Sequence, residues 1–261
     1  MPAPKIMTVF GTRPEAIKVA PVIKALDQDD RFESVPVPTG QHKEMLEQVN
    51  SMFGISRPTT WGLMKPGQGL NELVSRALVG LDVVTTYRRE ILDAMKNIGD
   101  AVADLAAGYP GTYFVLPLHL NPKVRRAVLP EVENLDNVII TNPLPYDQFT
   151  QLQNRASIIL TDSGGVQEEA PALGKPVLVM RSNTERPEAV VAGTVKLVGT
   201  ECDLITAEAR LLLEDDAAYA AMANAVNPYG DGQGAARSVA AIANLFDLGD
   251  RLPDFAPPAV D

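Results

Sequence analysis

The sequence predicts an α/β protein built from doubly wound, parallel, Rossmann-like sheets. Three observations predict it. The stretch 158–188 reads as an apolar run, a polar Gly-rich break, a helix and a second apolar run at 177–180. That is one βαβ unit, and such a unit implies parallel strands. From 113 onward, short apolar runs and helical patterns alternate regularly. The chain also opens on a compact apolar run, Lys5–Phe10, which stops at Gly11-Thr12 and passes into a helical pattern.

The elements follow in order. After the first strand, Pro14 suits a first helical turn, and Ile17, Ala20 and Ile23 to Leu26 supply an apolar face. Arg13 therefore stands at the mouth of the first βα turn, where a phosphate would sit; the alternative is a surface ion pair with Glu15. Residues 32–38 form a weak second strand whose two prolines suggest an edge. Gln41 and His42 open a second helix with Met45, Val49 and Phe53 at helical spacing, and His42 reads as a capping or packing residue. A Gly/Pro loop at 65–69 precedes an amphipathic helix of Leu70, Leu73, Val74, Ala77 and Leu78. Val83-Val84 reads as a short strand leading to a turn with Arg88 and Arg89, followed by a helix faced by Ile91, Met95, Ile98, Val102 and Leu105. Strands are expected at 113–118, 138–141, 158–161, 177–180 and 195–198, with helices at 122–132, 146–154, 165–174 and 186–193 between them. Three more helices, 204–213, 217–225 and 235–246, close the pattern.

This divides the chain into a partial first lobe (1–80), a complete second lobe (81–246) and a loosely ordered Pro/Asp-rich tail (247–261). A two-stranded parallel sheet is a poor core by itself, so the first lobe needs support from the second lobe or another subunit.

Ligands of open parallel sheets bind beyond the carboxyl ends of the strands. Ser163-Gly164-Gly165 sits at such an end, its glycines allowing close backbone approach and the following helix favouring an anion. Glu168 and Glu169, one turn in, are placed to accept from sugar hydroxyls. The competing reading is a simple cap, since Asp and Ser are favoured N-cap residues.

Composition narrows the class. The 261 residues are 46% apolar with a net charge of −10, which excludes nucleic acid as a main partner. One cysteine, Cys202, excludes an intrachain disulfide framework and fits a reducing compartment. No run approaches the ~20 apolar residues of a membrane span. His42 and His119 make no metal site. A cytoplasmic protein is expected.

Several strings resemble one family. They are Val-Phe-Gly-Thr-Arg-Pro-Glu-Ala-Ile-Lys (9–18), Gln41-His42-Lys43-Glu44-Met45, Lys65-Pro66-Gly67-Gln68 and Pro117-Leu118-His119-Leu120-Asn121-Pro122. Further along come Leu-Thr-Asp-Ser-Gly-Gly-Val-Gln-Glu-Glu-Ala-Pro (160–171), Thr-Glu-Arg-Pro-Glu-Ala (184–189) and Asn-Pro-Tyr-Gly-Asp-Gly (227–232). In this order they resemble the non-hydrolysing UDP-N-acetylglucosamine 2-epimerases. The resemblance implies two Rossmann-like lobes in a glycosyltransferase-B-like fold, here with a truncated first lobe. It implies a UDP-sugar ligand held mainly by the second lobe, no cofactor or metal, and a homodimer. The implied reaction inverts C2 of the sugar by eliminating UDP, to give 2-acetamidoglucal, and adding it back. Carried over by motif, Arg13 contacts the diphosphate, Ser163, Gly164 and Gly165 bind phosphate, and Glu169 holds the ribose diol. Arg186 belongs to a motif near the site, while Lys18 and Gln41 lie in motifs near the nucleotide or a regulatory site.

The chain departs from the family in its middle. The family's His-Gly-Asp-Thr, Val-Glu-Ala-Gly-Leu-Arg and Pro-Glu-Glu strings, whose carboxylates are the expected acid/base groups, are missing, and a family histidine is Tyr87 here. Removing the C2 proton needs a base of suitable pKa within reach, and the remaining candidates are Tyr87, Glu90 and Glu15. Besides a working epimerase, the sequence therefore admits three alternatives. These are an inactive relative that still binds UDP or a UDP-sugar, a glycosyltransferase of the same fold, and a remnant or chimera joined at 80–86.

Overall fold

The computed structural model describes residues 3–38, 43–55 and 81–256. In chain order come β1 (Lys5–Phe10), α1 (Arg13–Asp27), β2 (Glu33–Pro38), α2 (Lys43–Phe53), α3 (Leu81–Gly108), β3 (Phe114–Pro117) and α4 (Pro122–Val132). There follow β4 (Val138–Thr141), α5 (Tyr146–Arg155), β5 (Ile159–Thr161), α6 (Gly164–Glu169), a 3-10 turn (Ala170–Leu173) and β6 (Val177–Val179). The remainder are α7 (Pro187–Val191), β7 (Val195–Leu197), α8 (Cys202–Glu214), α9 (Asp216–Ala223) and α10 (Gly234–Leu245). Gln41, His42, the loop 65–69 and the expected helix 70–78 lie outside the described residues. No described helix is long and apolar enough to cross a membrane.

The chain separates into two compact units, with breaks after Leu78 and after Tyr229. In the first unit β1 and β2 pair in parallel, from Lys5 opposite Glu33 to Phe10 opposite Pro38. Phe10, Ala16, Ala20 and Ile23 meet Leu46 and Val49 of α2 in one apolar cluster. A second cluster joins Leu26 and Phe32 to Val239 and Ala243 of α10. Helix α10 thus belongs to the first unit, whereas the sequence had assigned 235–246 to the second lobe. Its apolar face finds its match on α1, more than two hundred positions away in the chain. The residues after it are also anchored rather than loose. Arg31 Nη1 donates to the Leu248 carbonyl at 2.9 Å, Arg237 Nε donates to the Pro253 carbonyl at 2.8 Å, and the Arg237 guanidinium lies over the Phe255 ring.

In the second unit, α3 replaces the short strand expected at Val83-Val84. A pair of β-branched residues is a weak local signal, and here it is absorbed into a helix of 28 residues. From Met95 onward the expected face of that helix is correct; the Ile91 side chain lies outside the described residues. Met95, Ile98, Val102 and Leu105 pack with Val124, Val128 and Val132 of α4 and with Ile205, Ala209 and Leu212 of α8. Leu105 is fully buried, so truncating it to Ala would cost about 2–5 kcal/mol. The strands form two parallel ladders, β3-β4 and β5-β6-β7. Leu116, Ile140, Leu160 and Leu178 from both ladders enter the same cluster as α3.

The helix expected over 165–174 is shorter. It leaves the α ladder at Ala170 and finishes as a 3-10 turn, because Pro171 has no N–H to continue the bonding. Gly174, at φ 65°, ends the segment in the left-handed region.

Candidate nucleotide-diphosphate site

Strands β5, β6 and β7 run parallel in register, with Thr161 beside Val179 and Val179 beside Leu197. Their carboxyl ends therefore share one edge. The main chain stays tied just beyond the ladders: Met180 N–H donates to the Thr161 carbonyl at 2.9 Å and Val198 N–H to the Val179 carbonyl at 3.0 Å. Asp162-Ser163, Arg181 and Gly199 leave the sheet on this edge. The Ser163 N–H is held by Thr161 Oγ1 at 3.0 Å, which fixes the turn from β5 into α6.

The cap reading of Ser163 can be judged directly. Ser163 occupies the N-cap position of α6, yet its hydroxyl makes no capping hydrogen bond. The glycines have no internal reason either. Gly164 and Gly165 are helical and lie outside the positive-φ region. A Cβ built on Gly164 would meet nothing within 4 Å, and one on Gly165 would lie 3.9 Å from Ser163 Oγ and 4.0 Å from Glu169 Oε1. Neither backbone conformation nor protein packing demands glycine here, although glycine in a helix costs about 0.5–1 kcal/mol relative to alanine. What remains is the approach of something outside the chain. The first N–H groups of a helix have no intrahelical acceptor and point at that approach.

A buried relay supports the turn. Gln167 is fully buried on α6. Its Nε2 donates to the Ser163 carbonyl at 3.3 Å, and its Oε1 accepts from the Thr184 hydroxyl at 2.6 Å. Thr184 Oγ1 in turn accepts the Arg186 N–H at 3.0 Å. The Arg186 side chain closes the loop, its Nε donating to Glu168 Oε1 at 2.5 Å. Burial alone would lower the Arg186 guanidinium, but the hydrogen bond and charge of Glu168 outweigh it and hold the group above its usual range. Next to this pair, the Tyr229 phenol packs on the cluster of Val166, Ala170 and Ala189. Its hydroxyl is buried with no hydrogen-bond partner. Burial first, then the Glu188 charge, push it up to about 12 against the pull of Arg186.

Ser163, Gly164, Gly165, Glu169 and Arg186 are thus gathered within one unit, around one turn. Arg13, Glu15 and Lys18 stand in the other unit, on α1. There the Arg13–Glu15 ion pair, the alternative reading of Arg13, is absent. Glu15 Oε2 instead accepts from the N–H groups of Gly11 at 2.7 Å and Thr12 at 3.1 Å, closing the helix start. Half-buried Arg13 makes no hydrogen bond or ion pair among the described residues, so its charge stays available at that strand end. Lys18, five residues on, lies about 140° around the helix axis from Arg13, so the two do not share a face. Tyr87 and Glu90 lie on α3, and their side chains are outside the described residues. The sequence reading missed Gln167, Thr184, Tyr229 and Arg181. Arg181 alone carried a usable signal, its place directly after a strand.

The family model for UDP-N-acetylglucosamine 2-epimerase matches residues 81–243. The UDP-N-acetylglucosamine 2-epimerase of Escherichia coli K12 is 35% identical over 370 aligned residues, covering 92% of this chain and 98% of that protein. The alignment is longer than the 261 residues available here, so the relative carries a block with no counterpart in this chain. The Neisseria meningitidis UDP-GlcNAc 2-epimerase, solved bound to UDP-GlcNAc, superposes with a TM-score of 0.78 at 30% identity, over 92% of this chain and all of that one. A Staphylococcus aureus protein solved with UDP reaches a TM-score of 0.82 at 29% identity, over 97% of this chain and all of that one. The Rossmann-like, glycosyltransferase-B-like fold class expected from the sequence is the fold of these relatives. With the family match covering more than half of its length, the chain belongs to the UDP-N-acetylglucosamine 2-epimerase family.

Proposed function

We propose that the chain acts on UDP-N-acetylglucosamine, with the UDP diphosphate held at the turn from β5 into α6, and that it interconverts this substrate with UDP-N-acetylmannosamine. The observation that carries the site is the pair of glycines, Gly164 and Gly165, for which the folded chain has no internal use. Relatives solved with UDP-GlcNAc and with UDP support the ligand class. Ser163 Oγ and the first N–H groups of α6 bind phosphate oxygens, Glu169 takes the ribose diol, and Arg186 stays with Glu168 as a wall of the site. Arg13, on α1, is a further candidate to bind phosphate, and a homodimer supports the two-stranded sheet of the first unit.

The reaction proceeds by loss of the C2 proton and of UDP from C1, giving 2-acetamidoglucal, followed by re-addition with the opposite configuration at C2. Among the chain's own base candidates, Glu15 is committed to the Gly11 and Thr12 N–H groups. Tyr87 offers only a phenol, a side-chain type that is a weak base at neutral pH. Glu90 on α3 is left as the base. A second reading is favoured by one observation, the block that the aligned relatives carry and this chain lacks. In that reading the chain binds UDP-N-acetylglucosamine without turning it over. Proton NMR of UDP-N-acetylglucosamine with the protein in D2O separates the two. Deuterium at C2 with growing N-acetylmannosamine signals supports the epimerase; bound substrate with no exchange after long incubation leaves only the binder.

A further inference from the structure

We propose that Arg181 is a further ligand-binding residue, donating to the phosphate oxygens of the nucleotide; this rests on the diphosphate site assigned above. Its position follows from register. Thr161 pairs with Val179, so Arg181 stands two residues past the ladder on β6 as Ser163 does on β5. Its main chain is fixed on both sides. The Arg181 N–H closes a tight turn onto the Val179 carbonyl at 2.9 Å, and its carbonyl accepts the Gly199 N–H at 3.2 Å. Such a turn, centred on Met180, ends the strand and redirects the residue that follows.

The side chain is the unusual part. Among the described residues, the Arg181 guanidinium has no hydrogen bond and no ion pair, and its Nε is shut off from water with no acceptor. The other partly buried guanidiniums of this unit are satisfied differently. Arg186 has Glu168; Arg125 shares the orphaned Nε, but its Nη2 donates to Asn142 Oδ1 and the Leu118 carbonyl, whereas Arg181 has no partner on any nitrogen among the described residues. A buried donor without an acceptor is costly to the fold, and a cation in that condition more so. The cost is understandable if the acceptor arrives with the ligand.

Charge makes the same point. The chain carries a net charge of −10, so an anion is held only where local cations outweigh the overall field. At the β5–β6 edge, Ser163, Gly164 and Gly165 offer neutral donors, and Arg186 is already neutralised by Glu168. Arg181 is the one described cation at this edge with its charge uncommitted. Its planar fork suits two phosphate oxygens at once. A diphosphate, rather than the uncharged nucleoside, is what this group selects.

The test is calorimetric titration of UDP, UMP and uridine into the full chain and into Arg181→Met and Arg181→Lys. For Arg181→Met, UDP binding should weaken about tenfold to a hundredfold, the range for a hydrogen bond to a charged group. Uridine binding should not change, and Arg181→Lys should recover part of the loss for UDP. Matching far-UV circular dichroism and unfolding midpoints exclude a folding defect, and Arg181→Lys serves if the methionine variant fails to fold. If Arg181→Met binds UDP as wild type does while Gly164→Val does not, the site stands and the role of Arg181 is overturned. If the wild type itself does not bind UDP, the site and this proposal fall together.

Discussion

Replacing Gly164 by alanine should make the protein more stable and a poorer binder of UDP. The added methyl meets no atom within 4 Å, and the backbone there is already helical. Alanine removes the entropic cost of a helical glycine, about 0.5–1 kcal/mol. For a chain of this size that corresponds to a rise in the unfolding midpoint of about 1–4 °C. The same methyl tilts toward the start of α6, as every helical Cβ does, and a phosphate oxygen bound there needs to come within about 3 Å of the first N–H groups. UDP affinity should then fall by about tenfold or more. Gly165→Ala should behave alike, its methyl 3.9 Å from Ser163 Oγ and 4.0 Å from Glu169 Oε1. Thermal unfolding followed by circular dichroism, and titration with UDP, give the two numbers. A fall in the midpoint would mean that the glycine serves the fold. Unchanged UDP affinity would mean that no ligand approaches it, and either result refutes the reasoning.

Other expectations follow from neighbouring contacts. Gln167→Leu removes both bonds of the buried amide, to the Ser163 carbonyl and from the Thr184 hydroxyl. It should cost about 1–3 kcal/mol, seen as a midpoint lower by about 2–12 °C, and UDP affinity should fall although no ligand contact is removed. Tyr229, pushed up to about 12 in the folded chain from its usual 10, favours the fold while its phenol is protonated. That contribution is whole below pH 10 and is lost as pH rises toward 12. Tyr229→Phe should therefore unfold less steeply with alkali between those values, in unfolding midpoints measured across that range; identical slopes would contradict the assigned burial.

What could be read from the sequence was local. The turn from β5 into α6 was legible because an apolar run, a Gly-Gly break and the Gly174-Lys175-Pro176 stop follow one another directly. The apolar face of α3 was legible from the spacing of Met95, Ile98, Val102 and Leu105. Its start was not, because Val83-Val84 looks like a strand when judged without the helix that contains it. The helical nature of α10 was legible, but not its place in the first unit, which depends on Leu26 and Phe32 at the other end of the chain. The candidate site divides in the same way. Ser163, Gly164 and Gly165 announce themselves by residue type and position. Gln167, Thr184, Arg181 and Tyr229 matter because of burial, and they come from α6, the connection between β6 and α7, and the loop after α9, which local spacing does not bring together. Glu15 was placed only loosely: spacing offered a pair with Arg13 as an alternative, whereas the two nearer N–H groups of Gly11 and Thr12 take its carboxylate.

The most direct test of the central claim, a UDP site on the turn from β5 into α6, is a nitrogen-15 correlation spectrum of the full chain during titration with UDP. The account predicts that the amides of Ser163, Gly164 and Gly165 and the side-chain amide of Gln167 move first and farthest, saturating together. Shifts confined to other parts of the chain, or none at high UDP, would contradict it.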